Sequence, residues 1–290
     1  MGLLFGQGAP IDQNNNTLLH YAAEGGYTDT VKLLLEKGAP TEARNISTYT
    51  PLHLAVINGH PGTVELLFKG DSIEAMDIHG NETLHLAARV GHTNIVNILL
   101  RKGASMEAMG QYDYTPLHFA AEKGHTGAVE LLLEQGASIG AKAESEDTPL
   151  HLTTWSGHTD AVKLLLERGA SIEAPGRRGC TPLHLAAAAG HTGAMEVLLG
   201  KGASIGALNP DNDTALHIAA WAGHLGAVEL LLERGAQTGL KNTLDETPLG
   251  LAKIMGRSDV VRLLKDKAAG HSNRRRSQFL TSIFGGKQKR

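Results

Sequence analysis

One histidine recurs through this chain on a nearly constant beat. It falls at His20, His53, His85, His118, His151, His184 and His217, and Gly250 holds the eighth such position. The steps are 33, 32, 33, 33, 33, 33 and 33 residues. A period of this length decides architecture before any local reading does, because each period is one small unit that cannot bury its apolar face alone. Stacked neighbours share a core, so stability becomes largely a nearest-neighbour property. The length of 290 residues would by itself predict one or two globular domains; the period replaces that with a repeat array.

Around the anchor histidine the wording repeats. Thr-Pro-Leu-His spans Thr50 to His53, Thr115 to His118, Thr148 to His151 and Thr181 to His184. Gly-His recurs at Gly59-His60, Gly91-His92, Gly124-His125, Gly157-His158, Gly190-His191 and Gly223-His224. A third phrase, Leu-Leu-x-x-Gly-Ala-Ser-Ile, runs from Leu132 to Ile139, Leu165 to Ile172 and Leu198 to Ile205. The physical reading is two short antiparallel helices and a protruding turn. Thr offers a side-chain oxygen to the free N–H groups of a helix start. Pro in the next position has no N–H to leave unsatisfied there. The Gly of Gly-His stops the first helix, because Gly tolerates positive φ. Val129, Leu132 and Leu133, spaced i, i+3, i+4, predict one apolar stripe on the second helix, with Glu130 and Glu134 facing water.

These phrases resemble the ankyrin repeat, over roughly residues 3–269. The resemblance implies an all-α repeat solenoid of helix-turn-helix units joined by β-hairpin-like turns. It also implies structural roles for Thr50, His53, His85, Thr115, His118, Thr148, His151, Thr181, His184, Thr214 and His217. In that family the anchor His bonds locally to Thr and bridges to the adjacent repeat. The expected organisation is a remnant of a preceding repeat over residues 1–9, eight repeats over 10–269, and a basic, disordered tail over 270–290. Leu3 to Ala9 reads as the end of a second helix without its first half, which leaves two alternatives: a fragment of a longer array, or a misassigned start.

Some units depart from the pattern. Tyr27 replaces the His of Gly-His in the first. The third is one residue short at Gly70-Asp71 and reads Glu82-Thr83-Leu84-His85, so its first helix is expected to start less firmly. The eighth has Gly250 and Arg257 in place of both histidines, as a terminal repeat without a neighbour would.

Catalytic readings fail on the same repetition. Thirteen of the fifteen histidines hold repeat positions, leaving His79 and His271. The two His of a unit lie seven residues apart across a helix break, which is not the i, i+4 spacing of a helical zinc pair, and no Cys cluster accompanies them. No phosphate-loop motif occurs. A nucleophile–base site must be unique, whereas Thr-x-x-His recurs. The expectation is no catalysis, no metal and no cofactor. Cys180, the only cysteine, is expected as an exposed thiol beside Arg177 and Arg178. A single cysteine favours a reducing compartment, and the chain is expected in the cytoplasm, with the nucleus as the alternative. No apolar run reaches membrane-spanning length.

If repeated positions build the scaffold, unrepeated ones carry identity. Two sets vary: the turn tips and the pair preceding Gly-His. By resemblance both line the concave face, which binds partner proteins. The candidates are Tyr49, Ile57, His79, Arg89, Tyr112, Tyr114, Glu122, Lys123, Trp155, Arg177, Arg178 and Trp221. Trp155 and Trp221, the only tryptophans, stand 66 residues apart at the same repeat position. Large aromatics in a surface groove are typical binding anchors. Tyr112, Tyr114 and Trp155 are expected in one patch.

Net charge is −3, but residues 270–290 carry +6 and no acid, which leaves −9 on the rest. An acidic array argues against a nucleic-acid-binding surface. Arg274-Arg275-Arg276-Ser277 reads as a basophilic kinase site at Ser277, and residues 274–290 as the one stretch suited to an anionic membrane. The leading reading is a monomeric, non-catalytic scaffold for another protein. The alternative is a tethering module whose basic tail attaches the array to a membrane or a nuclear partner.

Overall fold

The computed structural model describes residues 12–68 and 73–267. The expectations for residues 1–9, Gly70-Asp71, Ser277 and the tail lie outside them.

Sixteen α-helices form eight pairs, and the described residues contain no β-strand. The pairs are α1 (Leu18–Glu24) and α2 (Thr28–Glu36), α3 (Pro51–Ile57) and α4 (Pro61–Leu67), α5 (Thr83–Val90) and α6 (Thr93–Arg101), and α7 (Pro116–Glu122) and α8 (Thr126–Glu134). They continue with α9 (Pro149–Ser156) and α10 (Thr159–Glu167), α11 (Pro182–Ala189) and α12 (Thr192–Gly200), α13 (Ala215–Ala222) and α14 (Leu225–Glu233), and α15 (Pro248–Ile254) with a final helix α16 at 258–267. This is an all-α repeat solenoid.

The chain divides into two compact units, Met1–Ser171 and Ile172–Arg290. In the first, α1, α3, α5, α7 and α9 pack in sequence, and α2, α4, α6, α8 and α10 form a second layer. In the second, α11, α13 and α15 form one layer, with α12 packed on α14. Small residues set the spacing: Ala55, Ala87, Ala88, Ala120, Ala121, Ala186, Ala187, Ala219 and Ala220 are wholly buried on the first helices. Nearly every first helix has Leu in its first turn; Leu52, Leu84, Leu117, Leu150, Leu183 and Leu216 are buried, each contributing roughly 1.5–3 kcal/mol.

The stripe on the second helix differs from expectation. Ala128, Val129 and Leu132 are buried, while Leu133 is half-exposed. The same triplet recurs as Ala161, Val162, Leu165 and as Ala194, Met195, Leu198. A nine-residue helix held between two neighbours thus buries i, i+1, i+4 rather than i, i+3, i+4.

The start of α5 also differs. Glu82 takes the N-cap with the same extended backbone as the threonines, φ −78°, ψ 169°. Its N–H donates to His85 Nδ1 at 3.1 Å, and Thr83 Oγ1 donates to the Ile73 carbonyl at 3.1 Å. The helix therefore begins in register. The cost falls on Glu82, whose burial, followed by repulsion from Glu74, pushes its carboxyl up from the usual range.

Candidate functional site

The site is a surface held by two sets of side-chain bonds between repeats. The anchor histidines make the first. Thr50 N–H donates to His53 Nδ1 at 3.1 Å, and Thr50 Oγ1 lies 2.8 Å from the same nitrogen. The same arrangement joins Thr115 to His118, Thr148 to His151, Thr181 to His184 and Thr214 to His217, each with Oγ1 to Nδ1 at 2.9 Å. Since Nδ1 accepts an N–H, the proton sits on Nε2. That Nε2–H donates forward to a carbonyl of the following repeat: His53 to Ala75 at 3.0 Å, His85 to Ala108 at 2.8 Å, His118 to Asp147 at 3.2 Å and His217 to Leu240 at 3.0 Å. Burial pushes the rings of His53 and His118 down to about 4 and lowers those of His20, His85, His184 and His217. A neutral imidazole bonded at both nitrogens is a structural part, not a base awaiting a substrate.

The Gly-His histidines make the second set, and it runs backward. His60 Nε2 donates to the Glu24 carbonyl at 2.9 Å, His92 to Ile57 at 3.2 Å, His125 to Arg89 at 3.1 Å, His158 to Glu122 at 3.0 Å and His224 to Ala188 at 2.9 Å. These carbonyls end the preceding repeat's first helix, where no intrahelical donor remains. Each ring lies over the glycine of the repeat before it. A Cβ on Gly91 would stand 2.5 Å from His125 Nδ1, and one on Gly124 would stand 2.5 Å from His158 Cγ. The Gly therefore does more than stop a helix: Gly from one repeat and His from the next close a junction. Arg257, at the His position of the eighth repeat, performs the same task with Nε.

The tips carry a third device, at the eighth residue before the anchor. Asn45 Oδ1 accepts the N–H groups of Ser47 and Tyr49, both at 3.0 Å. Asp77, Asn209 and Asn242 hold their own tips by the same two bonds. Asp12 does so as well. Where Gly110 and Gly176 replace that residue, the turn differs: Tyr112 and Asp113 sit at φ 61° and 57°, Arg178 and Gly179 at 52° and 64°. An Asn or Asp recurring at this place was the available sign of a side chain closing its own loop.

A model of the ankyrin repeat family, built on three repeat copies, matches residues 2–79, 69–143, 150–242 and 194–277. The chain belongs to the ankyrin repeat family. Its structure is similar to that of the human ASB11 ankyrin repeat domain, with a TM-score of 0.70, 29% identity, and coverage of 77% of this chain and 99% of that one. Among curated relatives, a Transient receptor potential cation channel subfamily A member 1 homolog of Caenorhabditis elegans is 38% identical over 92 residues, covering 31% of this chain and 8% of that protein. The Nuclear factor NF-kappa-B p105 subunit of Rattus norvegicus is 39% identical over 97 residues, covering 31% of this chain and 10% of its own length. The Probable E3 ubiquitin-protein ligase XBOS33 of Oryza sativa subsp. japonica is 41% identical over 87 residues, covering 29% and 17%. The chain thus spans a small part of the length of each of these relatives. Ankyrin repeat domains are generally non-catalytic protein–protein interaction modules. Among the described residues no cluster of three metal-ligating side chains occurs, and no helix is long and apolar enough to cross a membrane.

On this ankyrin frame the candidate residues separate. His79, Tyr112, Lys123, Trp155, Arg178 and Trp221 are exposed. Tyr49, Ile57, Arg89, Glu122 and Arg177 are half-buried, and the Lys123 ammonium lies 3.3 Å from the Glu122 carboxylate. Tyr114 is buried, which corrects its placement on the exposed tip. So is Cys180, which corrects the exposed thiol; Asn209 Nδ2 lies 3.8 Å from its sulfur. The reason is shared. Both occupy the fourth residue before the anchor His, a position that points inward, as buried Asn81 and Asp147 do. An aromatic there packs on its own anchor ring: Tyr114 on His118 at 5.4 Å and Tyr49 on His53 at 5.7 Å.

Two groupings emerge. In the first unit, Tyr112 meets Tyr114 edge-on at 5.8 Å, Tyr114 meets Phe119 at 5.3 Å, and Arg89 lies over Phe119 at 6.0 Å. Phe119, which stands where six other repeats have Leu or Ile and the first has Tyr21, was not among the candidates; its departure from the pattern was the available signal. In the second unit, Arg177, Arg178 and Trp221 share a groove of about 560 Å³ with Leu185, Ile218 and Leu244.

Proposed function

We propose that this chain is a non-catalytic scaffold that binds another protein through its turn tips and the ends of its first helices. One observation carries the reading: Trp155 and Trp221 stand at the same position of two repeats, with 43% and 51% of their surfaces exposed. A ring that size gains nothing from water, and Ala188 serves the same position in α11. Fixed backbones support the reading, since the carbonyls of Ile57, Arg89, Glu122 and Trp221 are all held by the following repeat. Side chains on fixed backbones lose less entropy on binding.

The test is affinity capture with mass spectrometry, then calorimetry on the purified pair. The Trp155→Ala/Trp221→Ala double variant should lose binding by tenfold or more, roughly 1.4 kcal/mol, with its helical signal and melting retained. Undiminished binding by a folded double variant defeats the reading.

The charge asymmetry favours a second reading. The +6 of residues 270–290 would tether the array to an anionic surface. Salt-dependent binding of the full chain to phosphatidylserine vesicles, lost on deletion of 270–290, is its expected signature. We place the scaffold in the cytoplasm; imaging of a tagged chain tests that.

A further inference from the structure

We infer that the segment seated in the second unit's groove is an extended peptide bearing an acidic side chain at Arg178 and a large apolar side chain on Trp221 and Leu244. This rests on the interaction reading above and names the partner's chemistry. The eight tips span residues 12–17, 45–50, 77–82, 110–115, 143–148, 176–181, 209–214 and 242–247. Six of them carry one or more carboxylates, and 45–50 carries no charge. The tip 176–181 alone holds lysine or arginine, and it holds two, Arg177 and Arg178.

Arg178 is built to reach outward. Its backbone lies in the left-handed region at φ 52°, followed by Gly179 at 64°. Its side chain is exposed and makes no ion pair among the described residues. Asp211 lines the same groove, and Ile218, Trp221 and Leu244 are part of its apolar lining. Trp221 and Leu244 have 51% and 75% of their surfaces exposed.

Register follows from the charges. An acidic side chain meets attraction at Arg178 and repulsion from Asp211, Asp213, Asp245 or Glu246 on the next two tips. Unlike charges in register and like charges out of it supply specificity more than affinity. A nucleic-acid strand would run against those same carboxylates. Neighbouring helices pack about 8–10 Å apart, and an extended chain advances about 3.3 Å per residue, so one repeat corresponds to about three residues. The acid therefore stands about three to five residues from the apolar side chain.

The experiment uses the full chain and synthetic nine-residue peptides of Ala and Ser. Each bears one Phe and, one to six residues away, one Asp, Asn or Lys; binding is read by fluorescence anisotropy. Asp peptides at spacings of three to five should bind at least about tenfold tighter than their Lys counterparts. Arg178→Glu should reverse that preference, Arg178→Lys should keep it, and Trp221→Ala should weaken every peptide. Equal binding of Asp and Lys peptides, or an unchanged preference in a folded Arg178→Glu variant, overturns the inference. A shared loss with Trp221→Ala would then still support the broader interaction reading. Binding by no peptide also overturns the inference and leaves capture with the Trp variants to decide that reading.

Discussion

Arg257 Nε donates to the Trp221 carbonyl at 3.1 Å, standing in for the histidine that closes the other junctions. A guanidinium and an imidazole share little except an N–H that can be aimed. The position therefore requires a donor rather than a histidine. Arg257→His should leave urea stability within about 0.5 kcal/mol, whereas Arg257→Ala should lose about 1 kcal/mol, because the carbonyl keeps only water. Full stability in Arg257→Ala would show that the bond contributes nothing.

Gly124 and Gly136 both have positive φ, 72° and 98°, but only Gly124 lies beneath a ring of the next repeat. No atom stands within 4 Å of a Cβ built on Gly136. Gly136→Ala should therefore cost only backbone strain, about 1 kcal/mol. Gly124→Ala must also displace His158, and should cost roughly 2–3 kcal/mol in denaturant unfolding. Equal losses would remove the junction role of the Gly-His pair.

Acid should weaken the array over a defined window. His53 and His118 are held at about 4 when folded, below the ordinary 6.5 of the unfolded chain. Between those values the unfolded state binds more protons, so stability is full above pH 6.5, falls as pH drops, and levels near pH 4. Each such histidine accounts for on the order of 3 kcal/mol across the whole window. Urea unfolding at steps from pH 7.5 to 4.5 measures the slope. A flat profile, or an NMR titration of His118 near 6.5, would contradict the neutral, doubly bonded ring.

Glu82 predicts the opposite sign. Its folded carboxyl sits above the usual range, so its charge destabilises the fold at neutral pH, and that penalty fades as pH falls through the raised value. Glu82→Thr restores the capping residue used by the other repeats and should gain about 0.5–1 kcal/mol at pH 7, less at pH 5. Thermal unfolding at both pH values decides it; a loss at pH 7 would mean that the carboxylate is needed for its cap.

The repeat made the scaffold legible because the scaffold is what recurs: Thr115, Pro116, Leu117 and His118 each do what that wording implies. Directions between repeats were not legible. Nothing in Gly91-His92 says that Gly91 is completed by His125 and His92 by Ile57, since a local phrase does not record which neighbour it meets. Tyr114 and Cys180 were misplaced for a related reason. The middle residues of a tip face water while the residue four before the anchor turns inward, so the count from the anchor, rather than residue type, decides which way each faces. Arg89, Tyr112 and Trp221 stood out as candidates because each varies where the repeat does not dictate the residue. Phe119 breaks the pattern too, but as one apolar residue replacing another.

Every junction bond described for these histidines ends on a main-chain carbonyl. Every residue carries such an acceptor, so the bond itself asks nothing of its neighbour's side chain beyond the glycine that leaves room for the ring. A unit copied or exchanged within the gene brings both donors with it and finds both acceptors waiting. The tip and helix-end letters can then drift toward a new partner without a matching change next door. Junctions closed by side chain on side chain would have tied each such change to a second one.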